Sequence, residues 1–472
     1  MTQLLRSLGI SLGAVVAIEL IVRAVAAIGW ITLVAGDTHG FDRLHWGNDV
    51  PLEDRLYKQD RDLIFRMRGD FRKIYPRASL FPGQPVTYSI ETNDHGFRTA
   101  PFAKAKPPGV FRVICLGDSS TFGMNVEAAD AYPQVLSKLL EEQTPGRFEV
   151  LNLGVPGYSS RQGLEMIQRE VLRFEPDLLT FAYGSNGRFW PGTTTDDANI
   201  RFNQSRFGAI ATAAKSGLDQ LYIYRLVRKL VTVALYSLVE GGIAATNVPH
   251  RVTLEGMRDA IVATHAEAGE AGAALIVVNL DLARTDAVQG MKMGVSETGG
   301  AYLDMRKLFD RAHRDRTERI EKAQRLPAAR AKDKRSLLRS RAPQGRGVSV
   351  EWRPFLGQTS SFKPMRDDGS HGDQAAGDGI WSVYVPQRPG QRLLYAFWRT
   401  VAGEKTREFE PGSNLGGRWR MELIPKSGIM PIDDFGHYFL HTDNSHPDEE
   451  GHRLIAEALV PSVLELEART RP

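Results

Sequence analysis

The chain has 472 residues, 42% of them hydrophobic and 25% charged, with a formal net charge of +4 at pH 7. That length can bury a full core and divide into two or three domains, and that composition excludes wholesale disorder. The small charge excess argues against a nucleic-acid partner, and the single cysteine, Cys115, excludes an internal disulfide and any Cys/His zinc spacing.

Residues 1–36 form the first unit. The stretch from Leu8 to Ala35 is strongly apolar and, as a helix, long enough to cross a bilayer. Arg6 precedes it, so the positive-inside rule puts the N-terminus in the cytoplasm and all that follows outside it, in the periplasm or at the cell surface. Glu19 and Arg23 interrupt the run at i,i+4 spacing, where they can face each other on one helix side. An uncleaved transmembrane anchor is the preferred reading. A signal cleaved near Ala24-Val25-Ala26 and a buried soluble helix are the alternatives. Residues 37–110 are a lead-in of mixed composition. Within it, Asn93-Asp94-His95-Gly96-Phe97-Arg98 reads as a strand and turn with no site residue.

Residues 111–310 alternate short apolar runs with helical patterns. Strands are predicted at Val113–Leu116, Glu149–Leu153, Leu178–Ala182, Ala274–Val278 and Tyr302–Leu303. Helices are predicted at Tyr132–Glu142, Arg161–Arg173 and Leu254–Ala268. This pattern predicts a parallel sheet covered on both faces. Cys115 lies inside the first strand and reads as a small buried hydrophobe. Gly117 ends that strand, and Asp118-Ser119-Ser120-Thr121 follows at its carboxyl end, where open α/β sheets place their chemistry. Ser119 is the nucleophile candidate, Ser120 a rival, and Asp118 a turn acceptor. The alternation is interrupted from Arg188 to Ala245. There Leu218–Val239 reads as a cap helix with a basic side, contact with a membrane surface being the alternative.

Residues 311–347 are a basic linker or helix; from Arg306 to Arg346 about fifteen basic residues face about five acidic ones, without aromatic interleaving. Residues 348–425 alternate apolar residues at Trp381, Val383 and Val385 and again at Leu393, Tyr395 and Phe397, which predicts a small inserted β-sandwich-like module. Its tryptophans, Trp352, Trp381, Trp398 and Trp419, either form its core, the preferred reading, or stack on sugar rings. Residues 426–472 carry Asp443-Asn444-Ser445-His446-Pro447, then Gly451-His452 and a helix over Glu449–Glu467.

Four blocks, in this order, resemble those of the SGNH (GDSL-type) hydrolases: Gly117-Asp118-Ser119, Asn152-Leu153-Gly154-Val155-Pro156-Gly157, Tyr183-Gly184-Ser185-Asn186, and Asp443-Asn444-Ser445-His446-Pro447 followed by Gly451-His452, a resemblance that makes 426–472 the C-terminal part of the hydrolase domain. The Glu19/Arg23 pair and the Asn93–Arg98 element are similar to those of membrane-anchored bacterial members. The resemblance implies a three-layer α/β/α, flavodoxin-like domain, and an oxyanion hole made by the N–H groups of Ser119 and Gly154 and the side chain of Asn186. Gly187 stands where the family often has Asp. Acyl transfer needs a nucleophile, a base and an orienting carboxylate. Those are Ser119, His446 and Asp443, which lies three residues before the histidine; His452, His441 and His437 are rival bases and Asp304 a rival acid.

The expected protein is a serine esterase that needs no metal and no cofactor. Its expected substrate is an O-acyl, most plausibly O-acetyl, group on an extracytoplasmic carbohydrate. An O-acyltransferase on a cell-surface polysaccharide and a non-catalytic glycan-binding surface protein are the alternatives.

Overall fold

The computed structural model describes residues 14–24, 56–76, 87–187, 195–218, 221–224, 226–227, 250–280, 285–309, 311–312, 315, 336–341, 347–354, 361–367, 370, 380–388, 391–401, 404–407, 420–423 and 446–470.

The centre is a five-stranded parallel sheet built from β5 (Phe111–Gly117), β6 (Phe148–Asn152), β7 (Leu178–Ala182), β8 (Ala274–Asn279) and β9 (Ala301–Asp304). Their order across the sheet is β6-β5-β7-β8-β9, and every neighbouring pair is parallel. This is the flavodoxin-like order, in which chain connections leave in opposite directions from the first strand and open a crevice at its carboxyl end. Ser119 stands at that end of β5.

Strand alternation divides the core into two layers. Ile114, Leu116, Leu179, Phe181, Leu275 and Val277 point to one face, whereas Val113, Cys115, Ala182, Ile276 and Val278 point to the other. The first face is covered by α2 (Ser160–Arg169), α5 (Leu254–Glu270) and α6 (Thr285–Thr298); the second by α1 (Tyr132–Gln143) and α7 (Glu449–Thr470). The C-terminal helix thus docks on α1, which brings the segment just before it, with His446, back to the sheet that carries Ser119. Two hairpins, β1 (Tyr57–Asp60) with β2 (Ile64–Met67) and β3 (Arg72–Pro76) with β4 (Thr87–Glu91), add Leu56, Phe65, Met67, Tyr88 and Ile90 to the first layer. The predicted lead-in is therefore packed into the core of the sheet domain.

Between β7 and α5 lie α3 (Asp196–Gln204), α4 (Arg206–Leu218) and a helical stretch at 222–224 and 226–227. The rest of the helix expected over Leu218–Val239 lies outside the described residues. Further along, β10 (Ser336–Arg341) pairs with β13 (Ile380–Val385). β11 (Gly347–Pro354), β12 (Ser361–Pro364), β14 (Arg392–Val401), β15 (Glu404–Arg407) and β16 (Arg420–Leu423) form a second antiparallel sheet. Leu338, Val350, Val383, Val385 and Leu393 from both sheets share one cluster with Trp352, which is 4% exposed. A ring so buried packs a core and is closed to sugar stacking; Trp419 lies outside the described residues.

Among the described residues no helix is long and apolar enough to cross a membrane. The span expected over Leu8–Ala35 is described only at 14–24, which is helical, and most of the basic segment 311–347 also falls outside the described residues. Arg23 donates to Glu19 at 2.7 Å, as their spacing predicts, and Glu19 also accepts the backbone N–H groups of Tyr222 (2.8 Å) and Ile223 (2.9 Å).

Candidate active site

The site is built on the turn after β5. The chain folds into a four-residue helix, Ser119–Phe122, because each end has its cap. Asp118 accepts the Ser120 N–H at 3.0 Å, and Gly123, left-handed at φ +83°, closes the other end with its N–H on the Ser119 carbonyl. Ser119 is thereby the first helical residue, 7% exposed. His446 Nε2 lies 2.9 Å from Ser119 Oγ. With Nε2 unprotonated this is a nucleophile–base contact within hydrogen-bond reach, the geometry that lets an imidazole take the hydroxyl proton. Ser120, the rival nucleophile, is 2% exposed, and the imidazole meets Ser119 in its place.

Asp118 is buried, and burial pushes its carboxyl up to about 6; the Ser120 N–H, a positive charge on His446, and hydrogen bonds from Ser185 pull the other way. It is a structural acceptor that ties the nucleophile turn to the block holding Asn186. Burial also raises the Cys115 thiol to about 12, so it is protonated and unreactive.

The second block approaches so closely that only glycine fits. A Cβ at Gly154 would stand 2.4 Å from the Phe122 nitrogen. Its N–H, the expected oxyanion donor, donates to Asn152 Oδ1 at 3.0 Å. Asn186 Nδ2 donates to the Tyr158 carbonyl at 3.2 Å. An amide nitrogen carries two hydrogens, and one bond of this kind fixes the plane while leaving the other hydrogen available.

The Tyr158 carbonyl is itself held by a buried network. Ser159 caps α2 and donates to Asp196 at 2.5 Å. Arg251 donates to both Asp196 oxygens (3.0 and 2.9 Å), to the Gly157 carbonyl (3.0 Å) and to Gln162 (2.7 Å). This pair joins the two ends of the segment between β7 and α5 to the loop beside the oxyanion block. Sequence reasoning missed both residues, since nothing local links two charges 55 positions apart.

The rivals have other work. His452 is fully buried, stacks on Tyr132, and accepts the Tyr132 N–H at Nδ1 (3.2 Å), capping α1. Asp304 accepts from Asn279 (2.8 Å) and from the Arg306 N–H (3.2 Å). Asp443, His437 and His441 lie outside the described residues. Among the described residues no cluster of His, Cys, Asp and Glu is arranged to hold a metal ion.

Residues 115–319 match the model of the GDSL-like Lipase/Acylhydrolase family. No curated protein matches the chain. The chain is similar to three solved structures among others. One is a putative lipolytic protein of the G-D-S-L family from Desulfitobacterium hafniense DCB-2 (14% identity, 42% of this chain and 79% of that one, TM-score 0.24). Another is the lipase/acylhydrolase from Enterococcus faecalis (13%, 42% and 78%, TM-score 0.26). The third is Axe2, an acetylxylan esterase from Geobacillus stearothermophilus (15%, 42% and 77%, TM-score 0.24). The match gives residues 115–319, the segment that carries Ser119, Gly154 and Asn186, a likeness to the GDSL lipase/acylhydrolases.

Proposed function

We propose that the protein is a serine ester hydrolase that works through an acyl-enzyme on Ser119. The observation that carries this reading is the 2.9 Å contact between His446 Nε2 and Ser119 Oγ. Ser119 Oγ attacks the ester carbonyl carbon while its proton passes to His446 Nε2. The carbonyl oxygen becomes an oxyanion that takes hydrogen bonds from the Ser119 N–H, the free hydrogen of the Asn186 amide and the Gly154 N–H. His446 then returns the proton to the departing alkoxide, and the alcohol leaves. Water repeats the sequence on the acyl-enzyme and frees the acid. Asp443, three residues before His446 in the sequence, is the residue we assign as acceptor for Nδ1, which would keep the imidazole in the tautomer with Nε2 unprotonated.

The substrate we propose is an O-acetyl or other short O-acyl group on an extracytoplasmic carbohydrate. What supports this is the apolar, positive-inside Leu8–Ala35 stretch, which would hold the domain on the outer side of a membrane. The full chain in detergent should hydrolyse an activated acetyl ester and release acetate from an acetylated polysaccharide. His446→Ala should lower turnover by about 10⁴-fold or more. Free acetate as the product identifies a hydrolase, whereas acetyl appearing on an added sugar identifies a transferase. Unchanged turnover in folded His446→Ala rejects the mechanism.

A further inference from the structure

Arg98 is 1% exposed, yet the catalytic steps above make no use of it. Its guanidinium is surrounded by backbone oxygens. Nη1 donates to the carbonyls of Phe122 (3.3 Å) and Gly123 (2.6 Å), and Nη2 to those of Val126 (2.9 Å) and Ser89 (2.5 Å). Among the described residues no carboxylate forms an ion pair with it. A buried cation is costly where its donors are unmet; here neutral carbonyls meet Nη1 and Nη2, while Nε is buried without a hydrogen-bond partner. Its Cζ also lies over the Phe122 ring, 4.9 Å from the centroid. Burial lowers its pKa to about 10, so it remains charged at neutral pH.

The location of these acceptors is the informative part. Phe122, Gly123 and Val126 belong to the short stretch that follows the nucleophile. Gly123 and Met124 in turn donate their N–H groups to the Ser119 carbonyl, at 3.2 and 3.0 Å. Arg98 therefore grips the far side of the peptide units that hold Ser119 in helical register. A second path runs from the same residue toward the oxyanion side. The Arg98 carbonyl accepts from Gln134 Nε2 (3.3 Å), Gln134 Oε1 from Asn152 Nδ2 (3.4 Å), and Asn152 Oδ1 from the Gly154 N–H (3.0 Å).

We infer that Arg98 is a positioning residue for the reaction: its guanidinium fixes the turn Ser119–Val126 so that the Ser119 hydroxyl and N–H meet substrate in the reactive geometry. The inference rests on Ser119 being the nucleophile. A four-residue helix has too few internal bonds to hold its own direction, so its orientation must come from its surroundings. Arg98 supplies bonds to carbonyls that the helix end would otherwise leave unmet. A displacement of the nucleophile by about 1 Å costs roughly 10²-fold in rate.

The test uses the full-length chain and counts competent sites before measuring turnover. A fluorophosphonate titrates reactive Ser119, and kcat is then expressed per titrated site on an activated acetyl ester. Arg98→Met, which keeps bulk and removes every donor, should lower kcat per site by about 10²-fold with KM nearly unchanged. Arg98→Lys, able to reach some of the carbonyls, should fall between Arg98→Met and wild type, and it carries the test if Arg98→Met does not fold. A purely structural role predicts fewer titratable sites, each turning over at the wild-type rate, and that result overturns the inference. Wild-type chain that takes no probe at Ser119 overturns both the inference and the reading beneath it.

Discussion

Asp118 precedes Ser119, the proposed nucleophile, and is buried with a carboxyl raised from 3.8 to about 6, which makes the stability of this turn depend on pH. The folded pKa exceeds the unfolded one, so between about pH 4 and 6 the native state keeps a proton that the unfolded chain has released. Stability from this group is therefore greatest below pH 4 and declines as pH rises through 6, by about 3 kcal/mol in all. Asp118→Asn cannot ionise and keeps an oxygen for the Ser120 N–H. Its unfolding midpoint relative to wild type should move upward between pH 4 and pH 7; a difference independent of pH would mean that the carboxyl is not held up by burial. Asn186 offers a second check at this scale. Asn186→Ala should lower kcat by about 10²–10³-fold with little change in KM, because the donor acts on charge that develops in the transition state. An effect confined to KM would make Asn186 a binding residue.

At the scale of elements, the segment between β7 and α5 is fastened at its two ends by one buried ion pair, Asp196 with Arg251. Removing one partner strands the other charge, so Arg251→Met should destabilise the domain by about 3–5 kcal/mol. Asp196→Leu combined with Arg251→Met should recover much of that in chemical denaturation, since no lone charge remains. A double variant as unstable as the single one would assign the loss to the bonds on Gly157 and Gln162. The inner strands were legible because they are buried apolar runs: Phe111–Gly117 is buried throughout and Gly117 marks its end, whereas the edge strand Ala301–Asp304 is only partly buried. The hairpins were not. Tyr57–Asp60 and Arg72–Pro76 are short and carry charged residues, and each acquires its strand form by pairing with its partner hairpin strand. Helix α6 was also missed, since Gly290 and Gly294 lower its intrinsic propensity. The structure shows their use: a Cβ at Gly290 would stand 2.6 Å from the Leu254 carbonyl, and one at Gly294 2.9 Å from Ile261 Cβ, so the two glycines let α6 lie against α5. Ser119 and His446 were readable from local blocks. Arg98 was not, because its partners lie up to 28 positions along the chain and are carbonyls, which every residue has.

For the whole molecule, the N-terminal helix is tied to the rest through a polar contact. Glu19 accepts from Tyr222 and Ile223, while Val15, Val16, Ile18, Leu20 and Ile21 on the same helix are exposed. An anchored protein with its catalytic domain outside the cytoplasm predicts that alkaline phosphatase fused after residue 40 is active and that a cytoplasmic reporter at the same place is dark. The reverse pattern would reject this orientation. Placement in a membrane would decide which esters the enzyme meets; the chemistry would still belong to the crevice at the end of β5.

The central claim is that Ser119, activated by His446, is the nucleophile of an ester hydrolase. Fluorophosphonate labelling of the full chain, followed by peptide mass spectrometry, tests it most directly. The adduct should fall on Ser119, should form slowly in His446→Ala, and should persist in Ser120→Ala. Folded Ser119→Ala that takes up the probe at the wild-type rate would contradict the account.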